Sequence, residues 1–262
     1  MTFGCSFTKY HWPTWADIVL EQAKSAGTDG DNWGMAGVGN LFIAMQVQHA
    51  IAQGLLKAGD HAFISWTTMT REDRFVDGKW ITPGNIFNQK TYPQSWVEKY
   101  ADVEFYALRD CALINATRTS LDALGIKQTQ FSMAWMEPYT NGLHPTTSEM
   151  LTQVNRILDI YKCKFDCKSI LDVIPYPPPV TVQVNWSLDP TEVYTDTHHH
   201  PGSMLTYVKQ ELCPLGIPWL TTIDPKVESW THKWDHKLKT ARQPLRYPDF
   251  PYVQSKNRQW GF

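Results

Sequence analysis

The sequence lacks several features that mark particular classes of protein. Its 24 Lys and Arg residues nearly balance its 26 Asp and Glu residues, which leaves a formal net charge of −2. Bulk charge therefore gives no reason to expect nucleic acid as a partner. No stretch approaches the roughly 18 continuous apolar residues that a membrane-spanning helix needs, so the sequence predicts no membrane partner either.

Cysteines and a secretion signal are also lacking. The chain has five cysteines, an odd number without regular spacing, and a chain of 262 residues needs no disulfide framework. We therefore expect reduced thiols. The N-terminus lacks the basic region, apolar core and cleavage site of a signal peptide, so classical secretion is not expected.

The order of apolar and amphipathic stretches predicts an α/β fold. A short apolar run leads to Ser6, a helical pattern starts at Trp15, and Asn40 is suited to cap a second helix that extends to about Lys57. His61 to Trp66 is an apolar run with the length of a buried parallel strand. These stretches predict a β-α-β-α-β beginning with right-handed crossovers.

The following stretches are predicted to complete a five-stranded, mainly parallel sheet within residues 1 to 216. Residues 71 to 95 are rich first in charge and then in Gly, Pro, Asn and Gln, which predicts a long loop over the carboxyl edge of the sheet. One or two helices are expected in the stretch from Ala101 to Leu124. Gln130 to Trp135 is the predicted fourth strand, and Ile170 to Ile174 is a candidate fifth.

Residues 217 to 262 form a C-terminal extension of different composition. They hold five prolines, eight aromatic residues, and eight Lys or Arg against four Asp or Glu. A segment this aromatic is not expected to be disordered. We expect it to pack on the domain or on a partner.

One hydroxyl near the N-terminus is placed as a nucleophile would be. In Gly4-Cys5-Ser6-Phe7-Thr8, a strand reaches a small-residue turn and presents Ser6 before the first helix begins. An ordinary strand with a serine at its exit is the competing interpretation, because motifs this short match by chance. A serine becomes a useful nucleophile only when a base removes its proton and a third group orients that base.

The stretch Asp196-Thr197-His198-His199-His200-Pro201 could supply both of those groups. An Asp and a His three residues apart can lie on one side of a turn, which favours His199 as the base and Asp196 as the group that orients it. His198 could be oriented in the same way from an extended backbone, and His198 and His200 remain alternates. A solvated loop or a metal-binding run of histidines is the competing interpretation.

Two further residues could stabilise the oxyanion that forms when a serine attacks a carbonyl. Gly37 lies in the glycine-rich turn before the second helix, and its backbone amide could act with that of Ser6. Thr67, at the end of the strand from His61 to Trp66, could offer its hydroxyl. A plain turn glycine and a β-branched strand residue are the competing interpretations.

Together, Ser6 in Gly4-Cys5-Ser6-Phe7-Thr8, Gly37 five residues after Asn32, a polar residue after the third strand and a late Asp-x-x-His resemble the four blocks of SGNH, or GDSL-type, hydrolases. The Gly-Cys-Ser-Phe-Thr form is similar to that of phage-encoded members. The resemblance implies a three-layer, flavodoxin-like α/β/α sandwich. It also implies ester or acetyl hydrolysis through a seryl acyl-enzyme, without a metal or other cofactor.

The resemblance carries residue roles with it and has departures. It implies Ser6 as nucleophile, His199 as base, Asp196 as its orienting partner, and the amides of Ser6 and Gly37 as oxyanion donors. The family's Gly-Asp-Ser opening is Gly-Cys-Ser here. The family's third block carries an Asn side chain, and in this sequence Thr67 or Thr68 stands in its place.

The sequence thus predicts a serine esterase that acts on a small ester or an O-acetyl group, with an acetylated carbohydrate as one substrate class. The alternative is a structural protein of a phage particle that keeps the fold with weak or lost activity and binds other phage proteins through its extension. The expected location is accordingly a host cytoplasm or a phage virion. Two short motifs, Cys163 with Cys167 and His232 with His236, could bind zinc, but unconnected cysteines and a surface pair of histidines are favoured.

Overall fold

The computed structural model describes residues 1–87, 92–134, 148–185 and 191–246. The sequence-predicted loop at 136–145 and the part of the predicted extension from residue 247 onward lie outside the described residues. In chain order the elements are β1 (Thr2–Gly4), α1 (Trp15–Ser25), α2 (Asn40–Ala52), β2 (His61–Trp66), β3 (Arg71–Val76), β4 (Lys79–Asn85), α3 (Gln94–Tyr100), α4 (Val103–Ala123), β5 (Lys127–Ser132), α5 (Ser148–Tyr161), α6 (Ile170–Val173), β6 (Val182–Asn185), β7 (Tyr194–Asp196), α7 (Pro201–Tyr207), α8 (Pro225–Lys239) and β8 (Leu245–Arg246).

The chain divides into two compact units, and Ser6 and Phe7 fall on opposite sides of the division. The first unit comprises Met1–Ser6 and Trp33–Ser169, and the second comprises Phe7–Asn32 and the chain from Ile170 onward. None of the described helices is both long and apolar enough to cross a membrane.

A three-stranded parallel sheet lies in the first unit. Its strand order is β1-β2-β5, and Gly4 at the end of β1 pairs with Ser65 of β2. On the other side of β1, the backbone amides of Trp33 and Met35 donate to the carbonyl oxygens of Thr2 and Gly4, at 2.8 and 3.0 Å. This short segment therefore runs parallel to β1 at the edge of the sheet.

The prediction of five strands in the parallel sheet is wrong for the part of the chain that the structure describes, where this sheet has three. The residues of the expected fifth strand form the short helix α6 instead, and the amide of Ile174 donates to the carbonyl of Ile170 at 2.9 Å. Both isoleucines are buried. A short apolar run fits a helical turn as well as a strand, since one turn places residues four apart on the same face.

The prediction of a loop at residues 71 to 95 is also wrong. Strands β3 and β4 form an antiparallel hairpin, and Asp77 and Gly78 turn between them with φ of 50° and 74°. Two successive positive φ angles are what a two-residue type I′ hairpin turn needs. The charges that suggested a loop have specific partners: the Asp73 carboxylate accepts from the amides of Gly39 and Phe42, at 2.7 and 2.9 Å, at the start of α2.

The helix predictions that start at Trp15 and cover the stretch from Ala101 to Leu124 are confirmed by α1 and α4. The second helix begins at Asn40 as expected and ends at Ala52, and its N-cap is Gly39. A Cβ on Gly39 would lie 2.7 Å from an Asp73 carboxylate oxygen. Only glycine fits this position, which leaves the side chain of Asn40 for another contact.

The second unit is built around a small mixed sheet with the order β7-β6-β8, in which β6 is antiparallel to β7 and parallel to β8. Its apolar cluster is formed by Trp12, Val182, Val184, Leu238 and Leu245. Leu238 and Leu245 come from the segment predicted as the C-terminal extension. The structure therefore places part of that segment in the core of this unit.

Candidate active site

Ser6 follows β1 and lies in the turn that ends it, with 7% of its surface exposed. Gly4 is the last residue of the strand, so the small-residue turn begins one residue before the hydroxyl. This is the position that the sequence motif predicts. Parallel strands end at a common edge, and side chains just beyond that edge are the ones that a ligand can reach.

Ser6, Gly37 and Thr67 leave the sheet of the first unit at the same edge. Gly4 pairs with Ser65 and accepts a hydrogen bond from the amide of Met35. Each predicted site residue follows one of these three by two positions: Ser6 follows Gly4, Thr67 follows Ser65, and Gly37 follows Met35. Neighbouring strands are about 4.8 Å apart, so we expect the three residues to lie close together beyond the carboxyl end of β1.

The Gly37 turn has the backbone that only glycine adopts readily. Its φ is +82°, and a Cβ would lie 3.2 Å from the carbonyl oxygen of Thr82 in β4. A side chain would therefore disturb both the turn and the hairpin. The glycine keeps the turn close to the hairpin, and the oxyanion role of its amide stays a prediction.

Thr67 is fully buried, and its backbone is held by the side chain of Asn40. The Asn40 Nδ2 donates to the Thr67 carbonyl at 3.1 Å, and the Thr67 amide donates to Asn40 Oδ1 at 2.8 Å. The Thr67 hydroxyl has no hydrogen-bond partner among the described residues. The hydroxyl is therefore not committed to another group of the protein, which is compatible with its predicted role as a donor.

Asn40 is itself supported by a buried ion pair. Its Nδ2 also donates to Asp110 Oδ2 at 2.8 Å, and Arg109 Nε contacts Asp110 Oδ1 at 2.6 Å. Burial raises the pKa of Asp110 to about 6, although Arg109 and Asn40 favour the carboxylate. The sequence suggested only a helix cap at Asn40, and no local pattern points to this long-range network.

In the second unit, Asp196 pairs with His198. The Asp196 Oδ1 lies 3.0 Å from His198 Nδ1 and accepts the His198 backbone amide at 2.8 Å. Strand β7 ends at Asp196, so the carboxylate turns back over the residue two positions later, as Asp side chains do in local turns. The chain therefore orients the imidazole and the backbone of one residue together.

The protonation of this pair follows from its partners. Burial alone would raise the pKa of Asp196, but bonds from His198 and Tyr10 outweigh burial and lower it to about 2. The ionised carboxylate can only accept, so His198 Nδ1 is the donor, and a neutral imidazole held in this way has its lone pair on Nε2. No described residue bonds to Nε2, and the side chain is 27% exposed.

His199 is arranged the opposite way. Its Nε2 lies 3.0 Å from the carbonyl oxygen of Pro175, which can only accept, so the proton lies on Nε2. The remaining nitrogen, Nδ1, is buried without a partner among the described residues, and burial lowers the pKa of the ring. The ring is held in the interior beside Phe7 and Tyr176.

His200 is also an interior residue. Only 3% of it is exposed, neither ring nitrogen has a hydrogen-bond partner among the described residues, and burial lowers its pKa. It is the N-cap of α7, whose second residue, Gly202, donates its amide to Asp235 at 3.0 Å. Its position is explained by the start of this helix.

The expected pairing of Asp196 with His199 is therefore corrected. The carboxylate holds His198, which the sequence offered as an alternate, because Asp196 makes a local turn over two residues, in which it accepts from both the backbone amide and Nδ1 of His198, instead of a turn over three residues. The structure places Asp196 and the three histidines in the second unit, and Ser6, Gly37 and Thr67 in the first. The catalytic roles of all these residues stay predictions.

Tyr10 is a residue that the sequence interpretation missed. Its hydroxyl donates to Asp196 Oδ2, and its ring stacks on His198 at 3.6 Å between centroids and 16° between planes. Trp12 packs edge-on against the Tyr10 ring, with 4.8 Å between the ring centroids. The one available signal was the aromatic run Tyr10-His11-Trp12 four residues after Ser6.

Tyr10→Phe is expected to lower the free energy of unfolding at pH 7 by about 1.5 to 3 kcal/mol, the usual worth of a hydrogen bond to a charged group. A carboxylate with a depressed pKa contributes stability above its unfolded pKa of about 3.9, and this contribution is lost as pH falls through the folded value. The folded pKa of Asp196 is about 2. The difference between wild type and variant should therefore shrink from pH 5 to pH 2.5.

Urea unfolding at a series of pH values measures this difference. Tyr194→Phe is a matched control, because Tyr194 lies on the same strand as Asp196 and is 48% exposed. A Tyr10→Phe effect that stays constant down to pH 2.5 would contradict the assigned charge of Asp196.

The described residues contain no group of three or more His, Cys, Asp or Glu side chains arranged to hold a metal ion. His232 and His236 lie one turn apart on the exposed face of α8, and Cys163 and Cys167 follow α5. Neither pair has a third ligand of these types among the residues that the structure describes.

Among the comparisons with known proteins, the search of solved structures found matches. No family model matches the sequence, and no curated protein matches it. The fold is similar to the crystal structure of a catalytic mutant of an acetylxylan esterase from Geobacillus stearothermophilus, with a TM-score of 0.39 and 14% sequence identity over 83% of this chain and 94% of that chain. This likeness is too distant to fix the fold or the activity.

Proposed function

We propose that this protein is a serine esterase that hydrolyses an ester or O-acetyl group through a seryl acyl-enzyme, with Ser6 as nucleophile and His198 as base. The observation that carries the proposal is the pair of the ionised Asp196 with Nδ1 of His198, at 3.0 Å. A buried carboxylate that fixes this tautomer is the arrangement that makes an imidazole a base at Nε2. The position of Ser6 at the carboxyl end of β1 supports the nucleophile.

The first half of the reaction forms the acyl-enzyme. The Ser6 oxygen bonds to the substrate carbonyl carbon while its proton passes to His198 Nε2, and the carbonyl oxygen becomes an oxyanion. The amides of Ser6 and Gly37 and the hydroxyl of Thr67 donate to that oxyanion. The intermediate then expels the alcohol, which takes the proton back from His198.

The second half regenerates the serine. Water attacks the acyl carbon as His198 accepts one of its protons, and collapse of the second intermediate returns that proton to the Ser6 oxygen and releases the acid. Asp196 stays ionised throughout and stabilises the imidazolium. The protein's own side chains supply every proton transfer in this scheme, and it uses no metal or cofactor.

Pre-steady-state hydrolysis of p-nitrophenyl acetate tests the proposal. The acyl-enzyme scheme predicts a burst of p-nitrophenol close to one equivalent of protein when deacylation is slower than acylation. An acetylated oligosaccharide, assayed for released acetate, tests the carbohydrate class that the sequence predicts. If neither substrate is turned over above the buffer rate, the esterase proposal is wrong. The alternative of a structural protein of a phage particle would then remain, and no observation favours it.

A further inference from the structure

The contacts of Asn40 support a role that differs from those of the nucleophile, the base, its orienting partner and the oxyanion donors. We infer that Asn40 is a positioning residue that fixes Thr67 and the Gly37 turn relative to one another, so that both oxyanion donors are set before substrate binds. This inference rests on the proposed function. Its separate content is that Asn40 acts through Thr67 and does not touch the substrate.

The first step of the argument is the two-point contact. Asn40 accepts from the Thr67 amide at 2.8 Å and donates to the Thr67 carbonyl at 3.1 Å. Two hydrogen bonds to the same residue fix its backbone in rotation as well as position. Thr67 has left strand β2, so no partner strand supplies these two bonds.

The second step is that the Asn40 amide has one favourable orientation. Its nitrogen faces two acceptors, the Thr67 carbonyl and the Asp110 carboxyl group, and its oxygen faces the Thr67 N–H. A flipped amide would place its oxygen against both acceptors. Asp110 is in turn held by Arg109 Nε at 2.6 Å, so the network does not depend on solvent.

The third step connects Thr67 to the glycine turn. Asn40 is the first residue of α2 and follows Gly37 by three positions, with Gly39 between them anchored to Asp73 at 2.7 Å. Asn40 therefore lies at the end of the turn that carries Gly37, and its side chain fixes the backbone of Thr67. Preorganised donors of this kind need no rearrangement at the moment of reaction.

The fourth step is the free hydroxyl. Thr67 Oγ1 is buried and has no hydrogen-bond partner among the described residues, although its own backbone is bonded on both sides. A hydroxyl kept free on a fixed backbone suits a donor that waits for a developing negative charge.

A double-mutant cycle between Asn40→Ser and Thr67→Val tests the inference. Each single variant is expected to lower kcat by about 10- to 100-fold with KM changed less than threefold, because the lost stabilisation exists only in the transition state. The double variant should be no more than threefold worse than the poorer single variant. Additive losses in the cycle would overturn the inference.

Amide hydrogen exchange provides a readout that does not depend on turnover. The Thr67 amide should exchange at least 10-fold faster in Asn40→Ser, while the Phe63 amide, which donates to Met1 at 2.9 Å, keeps its rate. Unchanged Thr67 exchange overturns the clamp. If Asn40→Ser does not fold, the test uses Thr67→Val and the wild-type exchange rate of the Thr67 amide. That amide should exchange more slowly than an amide in an open loop.

Asn115→Ser is the matched control variant. Asn115 also bridges to a distant backbone carbonyl, that of Tyr161 at 2.6 Å, but this carbonyl belongs to α5 and not to a predicted site residue. It should leave kcat within twofold of the wild type. Absence of turnover in the wild type removes the proposed function, whereas additive losses in an active enzyme remove only the role of Asn40.

Discussion

Ser6→Ala is expected to lower kcat/KM for p-nitrophenyl acetate by about 10⁴-fold or more, while the thermal unfolding midpoint changes by less than about 3 °C. Alanine removes the atom that forms the covalent bond and leaves the turn after β1 intact. The expected loss is large because no acyl-enzyme can form without the Ser6 oxygen. Steady-state kinetics and thermal unfolding of the purified variant provide both numbers.

Ser65→Ala is the control for this experiment. Ser65 pairs with Gly4, is fully buried, and its hydroxyl has no hydrogen-bond partner among the described residues. Its removal should leave kcat/KM within threefold of the wild type, since alanine fits where the hydroxyl makes no bond. Equal rates for wild type and Ser6→Ala would mean that Ser6 is not the nucleophile.

His198→Ala is expected to lower kcat by about 10³- to 10⁵-fold, because the serine is a weak nucleophile at neutral pH without its base. Added imidazole should restore part of the rate, as it can occupy the space that the side chain leaves. His199→Gln and His200→Gln should lower the unfolding midpoint and keep kcat within about 10-fold, because both residues are interior groups. The three variants are compared at pH 7.5 in the same buffer.

The contrast among the histidines is the informative part of this prediction. The Nε2 of His198 carries the lone pair and is not bonded to any described residue. The Nε2 of His199 instead carries a proton and donates it in a hydrogen bond to the Pro175 carbonyl oxygen. If His199→Gln loses turnover and His198→Ala keeps it, the local geometry around Asp196 has been assigned the wrong role. The role first expected from the spacing of Asp196 and His199 would then return.

Local sequence pattern predicted much of the first unit. The strand before Ser6, the helix after Trp15, and the strand from His61 to Trp66 follow from apolar spacing and length. Gly37 was identified as a turn glycine, and its φ of +82° agrees with that. These features depend on residues close together in the chain, which is why the sequence was sufficient.

The errors have a different origin. Arg71 to Arg74 look like a solvated loop, but Asp73 caps α2, and Glu72 accepts from the hydroxyl of Tyr106 at 2.7 Å, so the charges belong to an ordered hairpin. Their partners lie more than 30 positions away. No window of local sequence contains that information.

The histidine register failed for the same reason. Three consecutive histidines give the same local signal, and the residue that distinguishes them is Tyr10, which contacts Asp196 and stacks on His198 from 186 positions earlier in the chain. Asn40 is a comparable case, since its side chain acts on Thr67 and Asp110. The residue types of the site could be predicted from the sequence. Which histidine pairs with Asp196, and which residues Asn40 contacts, could be read only from the tertiary structure.

The most direct test of the central claim is the site and rate of phosphonylation by an alkyl fluorophosphonate. The serine oxygen displaces fluoride only when a base activates it, so the reagent reports nucleophile and base together. Intact-mass measurement and peptide mapping should show a single adduct on Ser6, absent in Ser6→Ala and formed at least 100-fold more slowly in His198→Ala. No adduct on the wild-type protein, or an adduct at another residue with Ser6 unmodified, would contradict the account.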